Sequence, residues 1–377
     1  MPCGMFLVGW EEGAERDSVI RGFFVQNTTV DLPYEIIADI LSRLPAECVF
    51  HSVNACKPLT ALTTTSSFVN LHQSRATPVI AFHYYLRRDY HDLKNSAQNV
   101  NIYFTDANTK KIVTKSVKID LGHACHNRPC SAFLYGSCDG FLLFGNLMFE
   151  SVLFIWSPIT EEQATVIAPH TGYRIRGFFF HAAAKEYRAL FVSLKGQGFD
   201  FEYFVLSLRT KSTRQISSYS YPPCSFRNPV FLNDVLHWMV DDKSYKRANG
   251  VHPHCSNAIL LFNVYSEEFS TVPHPGGQCC LRGDHFPITL MENEGLLCLC
   301  DATSHEELVV WILEDYKNKV WVKRDLFLFN MTHGTFRRVG KKCRDRYLGV
   351  SPVCHVNTLA TLGTDKVVKL FVEEEAI

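Results

Sequence analysis

Gly136-Ser137-Cys138-Asp139-Gly140 has the G-x-C-x-G frame of a nucleophile elbow, in which a strand delivers a thiol to a sharp turn and a helix leads away from it. The residues that follow, Phe141-Leu142-Leu143-Phe144-Gly145, read as a second strand. The frame therefore predicts a hairpin turn whose glycines permit positive φ, not a catalytic cysteine. His123, Cys125, His126 and Cys130 form one cluster of metal-ligating types, and His252, His254 and Cys255 form another. Neither has the paired C-x-x-C knuckles of a zinc site, and ordinary loop residues are the plainer reading. Cys298 and Cys300 alternate along a strand as small core residues do, and Cys279-Cys280 suits no common site. The cations Arg337, Arg338, Lys341, Lys342, Arg344 and Arg346 read as a solvated inter-strand loop, with an import signal or an acidic partner as the sharper alternatives. No phosphate-binding glycine loop is present. No catalytic residue, metal ligand or cofactor is assigned. The chemistry that remains is recognition. Tyr173, Arg174 and Arg176 beside one loop, and Tyr219 and Tyr221 beside Pro222-Pro223 in another, are the candidate contacts to a target, because tyrosine and arginine are favoured interface anchors.

The bulk properties agree with a binding role. At 377 residues the chain exceeds the usual single domain, so a large domain with a small one is expected. The 46% apolar and 13% aromatic residues can build a substantial core. With 38 basic and 38 acidic side chains the formal charge is zero, which lacks the overall footprint of a nucleic-acid or membrane-surface protein. Fourteen cysteines suggest a disulfide framework, but a chain of this size does not need one. The run Met5–Trp10 is cut short by Glu11 and Glu12 and lacks a cationic leader, so it reads as neither signal peptide nor anchor. Pro2 excludes the N-terminal glycine of a myristoylation site. No apolar stretch approaches a membrane span. The expected setting is the cytosol, the nucleus or both, with reduced thiols.

Two periodicities divide the chain. Residues 1–28 show no usable pattern and stay unassigned. Within 29–76, Ile36, Ile37, Ile40, Leu41 and Leu44 lie on one face of a helix, with Pro33 in its first turn and Pro45 beyond its end. Val49, Phe50, Val53, Cys56, Leu59 and Leu62 fit another short helix or two, and Ser66 or Ser67 could cap a last turn carrying Phe68. Three short helices bury too little to stand alone, so this unit needs a partner. From residue 79 to 377 the period becomes two, with turn residues every 8–12 positions. Strands are expected at Val79–Tyr85, Val100–Thr105, Phe141–Phe144, Val152–Trp156, Arg188–Leu194, Phe201–Leu208, Val235–Val240, Ala258–Val264, Leu296–Cys300, Leu308–Leu313 and Val367–Val372. A weak repeat recurs: a strand ending in a polar turn, as in Phe154–Glu161, Val205–Ser212, Leu261–Glu268 and Val310–Lys317. About four strands per ~50 residues is the period of a propeller blade, which suggests six blades, with five the alternative. The tryptophans Trp156, Trp238, Trp311 and Trp321 fall at inward positions. The strand at Val367–Val372 is expected to close the ring against strands from 79–119. The fold class is therefore α+β multidomain, a small all-α unit followed by an all-β propeller.

Asp31–Ala76 resembles the F-box. Leu32-Pro33-Tyr34-Glu35-Ile36-Ile37, Ile40-Leu41-Ser42-Arg43-Leu44-Pro45, Cys56-Lys57 and Ser67–His72 carry the likeness, while Ser52, Ala55 and Leu59 stand where the family usually has phenylalanine, valine and tryptophan. Residues from about 130 onward are similar to the plant F-box-associated domain, through Gly136–Leu142, Ile155–Thr160, Val230–Trp238 and Leu261–Val264 in that order. The resemblance implies a substrate-recognition subunit of an SCF-type ubiquitin ligase with no catalysis of its own. It implies a Skp-type adaptor, and through it a cullin-RING ligase, bound by Leu32, Pro33, Ile36, Ile37, Ile40, Leu41, Leu44, Pro45 and Val49. The propeller would hold an unknown target protein, with no nucleic acid and no membrane as partner. The alternative is a propeller binding or lectin-like module whose F-box joins no ligase; a propeller enzyme is a third reading, disfavoured by the missing motif.

Overall fold

Why these residues pack as they do is clearest where both faces of a strand are buried. Phe141 and Leu143 point to one neighbouring sheet, and Leu142 and Phe144 to the other, so the strand reads as a continuous apolar run. The computed structural model describes residues 33–53, 57–86, 97–105, 112–120, 132–146, 152–168, 173–193, 201–224, 229–275, 288–293, 295–301, 309–324, 348–362 and 367–371. The unassigned extension, Leu32, the His123–Cys130 cluster, Cys279-Cys280 and the run Arg337–Arg346 lie outside them.

Four helices come first: α1 Tyr34–Leu41, α2 Ala46–Val53, α3 Lys57–Thr63 and α4 Ser66–Arg75, one more than the three expected. Pro33 is the N-cap of α1 and not its first turn; its carbonyl accepts from the amides of Ile36 and Ile37 at 3.0 and 3.2 Å. Thr65, not Ser66 or Ser67, caps α4, its hydroxyl accepting from the Phe68 amide at 3.3 Å. The His72 imidazole reaches the Leu44 carbonyl at 2.9 Å, fastening α4 to the α1–α2 turn.

Five sheets follow, arranged as the blades of a ring. Blade 1 is β20 (Leu348–His355), β1 (Val79–Leu86), β2 (Ala97–Thr105) and β3 (Ile112–Asp120). Blade 2 is β4 (Ala132–Cys138), β5 (Phe141–Asn146), β6 (Val152–Trp156) and β7 (Gln163–Ile167), with β21 (Val367–Phe371) added outside β7. Blade 3 is β8 (Tyr173–His181), β9 (Glu186–Ser193), β10 (Phe201–Ser207) and β11 (Thr213–Tyr219). Blade 4 is β12 (Val230–Leu232), β13 (Val235–Met239), β14 (Ile259–Asn263) and β15 (Glu268–Val272). Blade 5 is β16 (Ile288–Asn293), β17 (Leu296–Asp301), β18 (Val309–Asp315) and β19 (Val320–Arg324). The count is five, not six.

The closing strand also differs from the expectation. β20 pairs antiparallel with β1 from Val79↔His355 to Leu86↔Leu348 and completes blade 1. Val367–Phe371 instead pairs in parallel with Gln163–Ile167 on the outer edge of blade 2. A late strand does close the ring on strands from 79–119, but it is the preceding one.

Apolar clusters lie between successive blades from 1 to 5. Trp156 and Trp238 are buried, and Trp311 and Trp321 pack half-buried between blades 4 and 5. Gly177 lets blade 3 approach blade 4, since a Cβ there would sit 2.9 Å from Leu236 Cδ1. Beside it the Trp238 indole N–H donates to the Arg176 carbonyl at 2.9 Å. The polar repeat is the third-to-fourth-strand turn of blades 2 to 5. Ser157, Ser207, Asn263 and Asp315 each accept backbone amides two or three residues on. Four residues after each opener, Glu161, Lys211, Glu267 and Lys319 take positive φ of 55 to 60°.

Candidate functional site

Apart from the parallel outer strand β21, strand direction alternates within every blade, so the connections fall at two ends of the ring. At one end lie the first-to-second and third-to-fourth turns, among them 139–140, 182–185, 208–212, 233–234 and 264–267. At the other lie the second-to-third and inter-blade connections, among whose described residues are 220–224, 240–258 and 273–275. Short turns mark one end and long connections the other.

The helical module sits at the short-turn end. Leu41, Ala46, Val49, Val53 and Phe68 share one apolar cluster with Ile159, from the turn after β6, and Leu359, just past β20. Polar contacts frame it: the Lys115 ammonium meets Glu47 at 2.7 Å and donates to the Pro158 carbonyl at 2.8 Å. Asp139, at the tip of the β4–β5 hairpin, receives the Gln73 amide and the Tyr187 hydroxyl, each at 3.4 Å, while its own carbonyl accepts from Thr358 Oγ1 at 2.7 Å. Burial raises the Asp139 carboxyl above its ordinary range, and these two hydrogen bonds only partly oppose it. The residues of the G-x-C-x-G frame thus form a hairpin, with Asp139 at φ 47° and Gly140 at φ 81°. Burial pushes the Cys138 thiol well up, the opposite of an activated nucleophile.

This seating divides the residues that the F-box resemblance implies for an adaptor. Leu41 (3% exposed) and Val49 (0%) are turned into the module's own core and its seat, so they hold the module instead of offering surface. Ile37 and Ile40 are half-buried. Pro33, Ile36 (47%), Leu44 (39%) and Pro45 are exposed, and Tyr34 (61%), absent from the implied set, joins them. Of the departures, Leu59 packs half-buried against the module core, Ser52 is exposed, and Ala55 lies outside the described residues.

The candidate target residues all fall at the long-connection end of blades 3 and 4. Tyr173 is half-buried and packs edge-on against Phe204 at 5.2 Å. Arg174 is half-buried on the same strand. Arg176 is buried, donating to the Ile175 carbonyl at 3.0 Å, and so cannot touch a target. Tyr219 stacks on Phe269 with centroids 5.5 Å apart, and Tyr221 stacks on Tyr245 at 5.0 Å. Tyr245 belongs to α5, Asp242–Asn249, in the connection after β13. Only Tyr245 and Ala248, one turn apart, give that helix an apolar side; its other sequence signals are the Asp241 cap, which accepts from the Ser244 amide, and Gly250 at φ 77°.

The remaining chemical candidates are engaged elsewhere. His252 contacts the Lys246 ammonium at 3.1 Å, His254 accepts from the Ser256 amide, and Cys255 is buried. Among the described residues no group of three His, Cys, Asp or Glu side chains is placed to hold a metal, and no helix is long and apolar enough to cross a membrane. Ser137, His355 and Asn357 line up with Ser137 Oγ 2.8 Å from His355 Nδ1 and Asn357 Oδ1 3.1 Å from Nε2. The imidazole is inaccessible, and burial first of all holds its pKa down to about 4. This trio ties the closing strand to β4.

The class the structure defines is a five-bladed β-propeller with a small helical module seated under one end of the ring. Residues 93–353 match the model of the F-box-associated β-propeller domain. The Arabidopsis thaliana F-box protein At3g07870 is 22% identical over 324 residues, 79% of this chain and 72% of that protein. F-box protein At5g18160 of the same plant is 24% identical over 294 residues, 77% and 68% of the two chains. Among solved structures, TolB from Acinetobacter baumannii aligns with a TM-score of 0.38 at 11% identity over 71% of this chain and 59% of its own. The β-propeller domain of the Trilobed protease from Pyrococcus furiosus aligns with 0.27 at 14% identity, over 52% and 57%. The chain belongs to the plant F-box proteins that carry an F-box-associated β-propeller domain.

Proposed function

We propose that this protein is the substrate-recognition subunit of an SCF-type ubiquitin ligase, working in the cytosol or the nucleus. Its helical module binds a Skp-type adaptor and, through it, a cullin-RING scaffold, while the propeller holds a target protein. The protein performs no bond chemistry. It contributes proximity, raising the effective concentration of target lysines near the charged enzyme.

The observation that carries this reading is the divided helix face. Leu41 and Val49 anchor the module to the ring, while Tyr34, Ile36 and Leu44 are left exposed on a unit too small to need them for its own core. The test is capture of a plant Skp-type adaptor by the full chain and by an Ile36→Asp/Leu44→Asp variant. Two lost apolar contacts of this size are worth about 3 kcal/mol, so capture should fall about a hundredfold with an unchanged melting temperature. Undiminished capture by the variant overturns the assignment of this face. A wild-type chain that captures no adaptor favours a binding module outside any ligase.

A further inference from the structure

The long-connection end of blades 3 and 4 carries a positively charged shelf that none of the family's motifs explains. Asp241 is used as the N-cap of α5, and Asp242 is buried. The exposed charges of the helix are therefore all cationic: Lys243, Lys246 and Arg247. Among the described residues neither Lys246 nor Arg247 has a carboxylate partner, although the chain as a whole is neutral. Directly after the helix Val251 is 61% exposed.

The shelf is held rigidly. Tyr245 and Ala248 pack on the blade 3–blade 4 core, and Tyr245 stacks on Tyr221 at an interplanar angle of 12°. The Pro222 carbonyl accepts from the Asp241 amide at 2.9 Å, the Cys224 amide donates to the Met239 carbonyl at 2.8 Å, and Pro223 bridges to Val240. Two connections that meet only at this end thus brace one short helix with its cations outward. Rigid placement lowers the ordering cost of binding, so charge presented in this way is suited to recognition.

We infer that this shelf is the docking surface for a carboxylate-rich segment of a partner protein. Lys243, Lys246 and Arg247 supply the charge, and the edges of Tyr221 and Tyr245 with Val251 supply the apolar border. A protein partner is favoured over nucleic acid because Tyr221 and Tyr245 stack on each other and pack against the blade 3–blade 4 core, so these rings serve the protein's own packing and not base stacking. Together with the proposed ligase role, which it deepens, this places the target on the side of the ring opposite the adaptor.

The test uses the full-length chain, a labelled peptide of alternating Asp and Glu, and a single-stranded RNA oligonucleotide as the competing anion. Binding of the peptide by fluorescence polarisation should fall about tenfold or more in Lys243→Glu/Lys246→Glu/Arg247→Glu. It should be unchanged in Lys185→Glu/Arg209→Glu/Lys317→Glu, which reverses three exposed charges at the short-turn end. Melting temperature and adaptor capture, measured on the same samples, should match wild type in the shelf variant. Equal loss in both variants, tighter binding of the RNA than of the peptide, or no peptide binding by the wild type overturns the shelf. Peptide binding intact in a protein that captures no adaptor leaves the shelf standing and removes the ligase role.

Discussion

The two ends of the ring solve opposite problems with the same strands. Among the described residues, every residue with positive φ except Gly250 lies at the short-turn end, from Asp139 and Gly140 to Gly295 and Lys319. Those turns are specified by backbone geometry and by side chains that bond their own backbone. The ion-pair network there joins two blades: Arg188 reaches Glu186 at 2.8 Å and Glu267 at 2.9 Å, and Arg214 also pairs with Glu267. Burial alone would raise the Glu186 carboxyl, but hydrogen bonds from Ser207 and Arg188 outweigh it and hold it below its ordinary value. At the other end the connections are long, and α5 presents its cations to solvent. One end is the seat of the helical module, and the other carries longer connections with a helix of its own. The difference teaches that residues of one type have different costs at the two ends.

The largest contrast should come from the glycines. A Cβ on Gly140 would collide with Thr358 Oγ1 at φ +81°, whereas Gly250, at φ +77°, has nothing within 4 Å of the same position. Gly140→Ala should cost about 3–5 kcal/mol, combining left-handed strain with overpacking, and Gly250→Ala about 1 kcal/mol. Denaturant midpoints of the two variants measure this, and equal losses would break the comparison.

Acid should act next. His355 links blade 1 to blade 2, and His237 links the Val230 carbonyl, at 3.0 Å, to the Tyr316 hydroxyl, at 2.7 Å. Burial first of all lowers each imidazole to about 4. The unfolded chain takes up these protons near pH 6.5, before the folded one does. Stability from this source is therefore full above 6.5, falls as pH drops toward 4, and loses about 3 kcal/mol per histidine over that window. A His237→Gln/His355→Gln protein should be less stable at neutral pH, with a shallower slope between pH 6.5 and 4. An unchanged slope would show that other groups carry the acid response.

Removing one charge should separate the ends again. Glu267→Gln leaves Arg188 without its inter-blade carboxylate and should cost about 2–4 kcal/mol, because both side chains are largely buried. Arg247→Gln on the exposed shelf should stay within about 0.5 kcal/mol. Thermal melts of the pair sharpen the contrast if the first drops and the second does not. The smallest effect should follow deletion of 366–377, which removes β21 from the outer edge of blade 2. The shortened protein should stay soluble and melt only a few degrees lower; insolubility would mean that β21 is part of ring closure after all.

What could be read in advance followed the local rules. Val152–Trp156 matches its expected strand residue for residue, and the turns opened by Ser157, Ser207 and Asn263 are the polar repeats already visible in the sequence. The blade count was harder to see, because long connections such as 240–258 and 273–287 inflate the residues per blade and a division by a fixed period yields one too many. The closing strand escaped for another reason. Leu348–His355 contains Pro352 and a glycine and lacks clean alternation, features tolerated because it is the edge strand of blade 1. Val367–Phe371 has the better pattern and the lesser role. On α1 the apolar positions cover a wide arc, so spacing alone could not say that Leu41 faces the ring and Ile36 faces solvent.

Leu359 and Thr358 give the seat of the helical module an order of assembly. Ile159 and Asp139 are translated well before them, and α1–α4 leave the ribosome earlier still. The helices therefore exist long before the platform that receives them, which is complete only when β20 has entered blade 1. A chain whose translation stops short keeps Tyr34, Ile36 and Leu44 but has nowhere to anchor Leu41 and Val49. Seating of the module thus reports that β20, the first strand of blade 1, is in place, so the last strand to join the ring is also the one that fixes the helices beneath it.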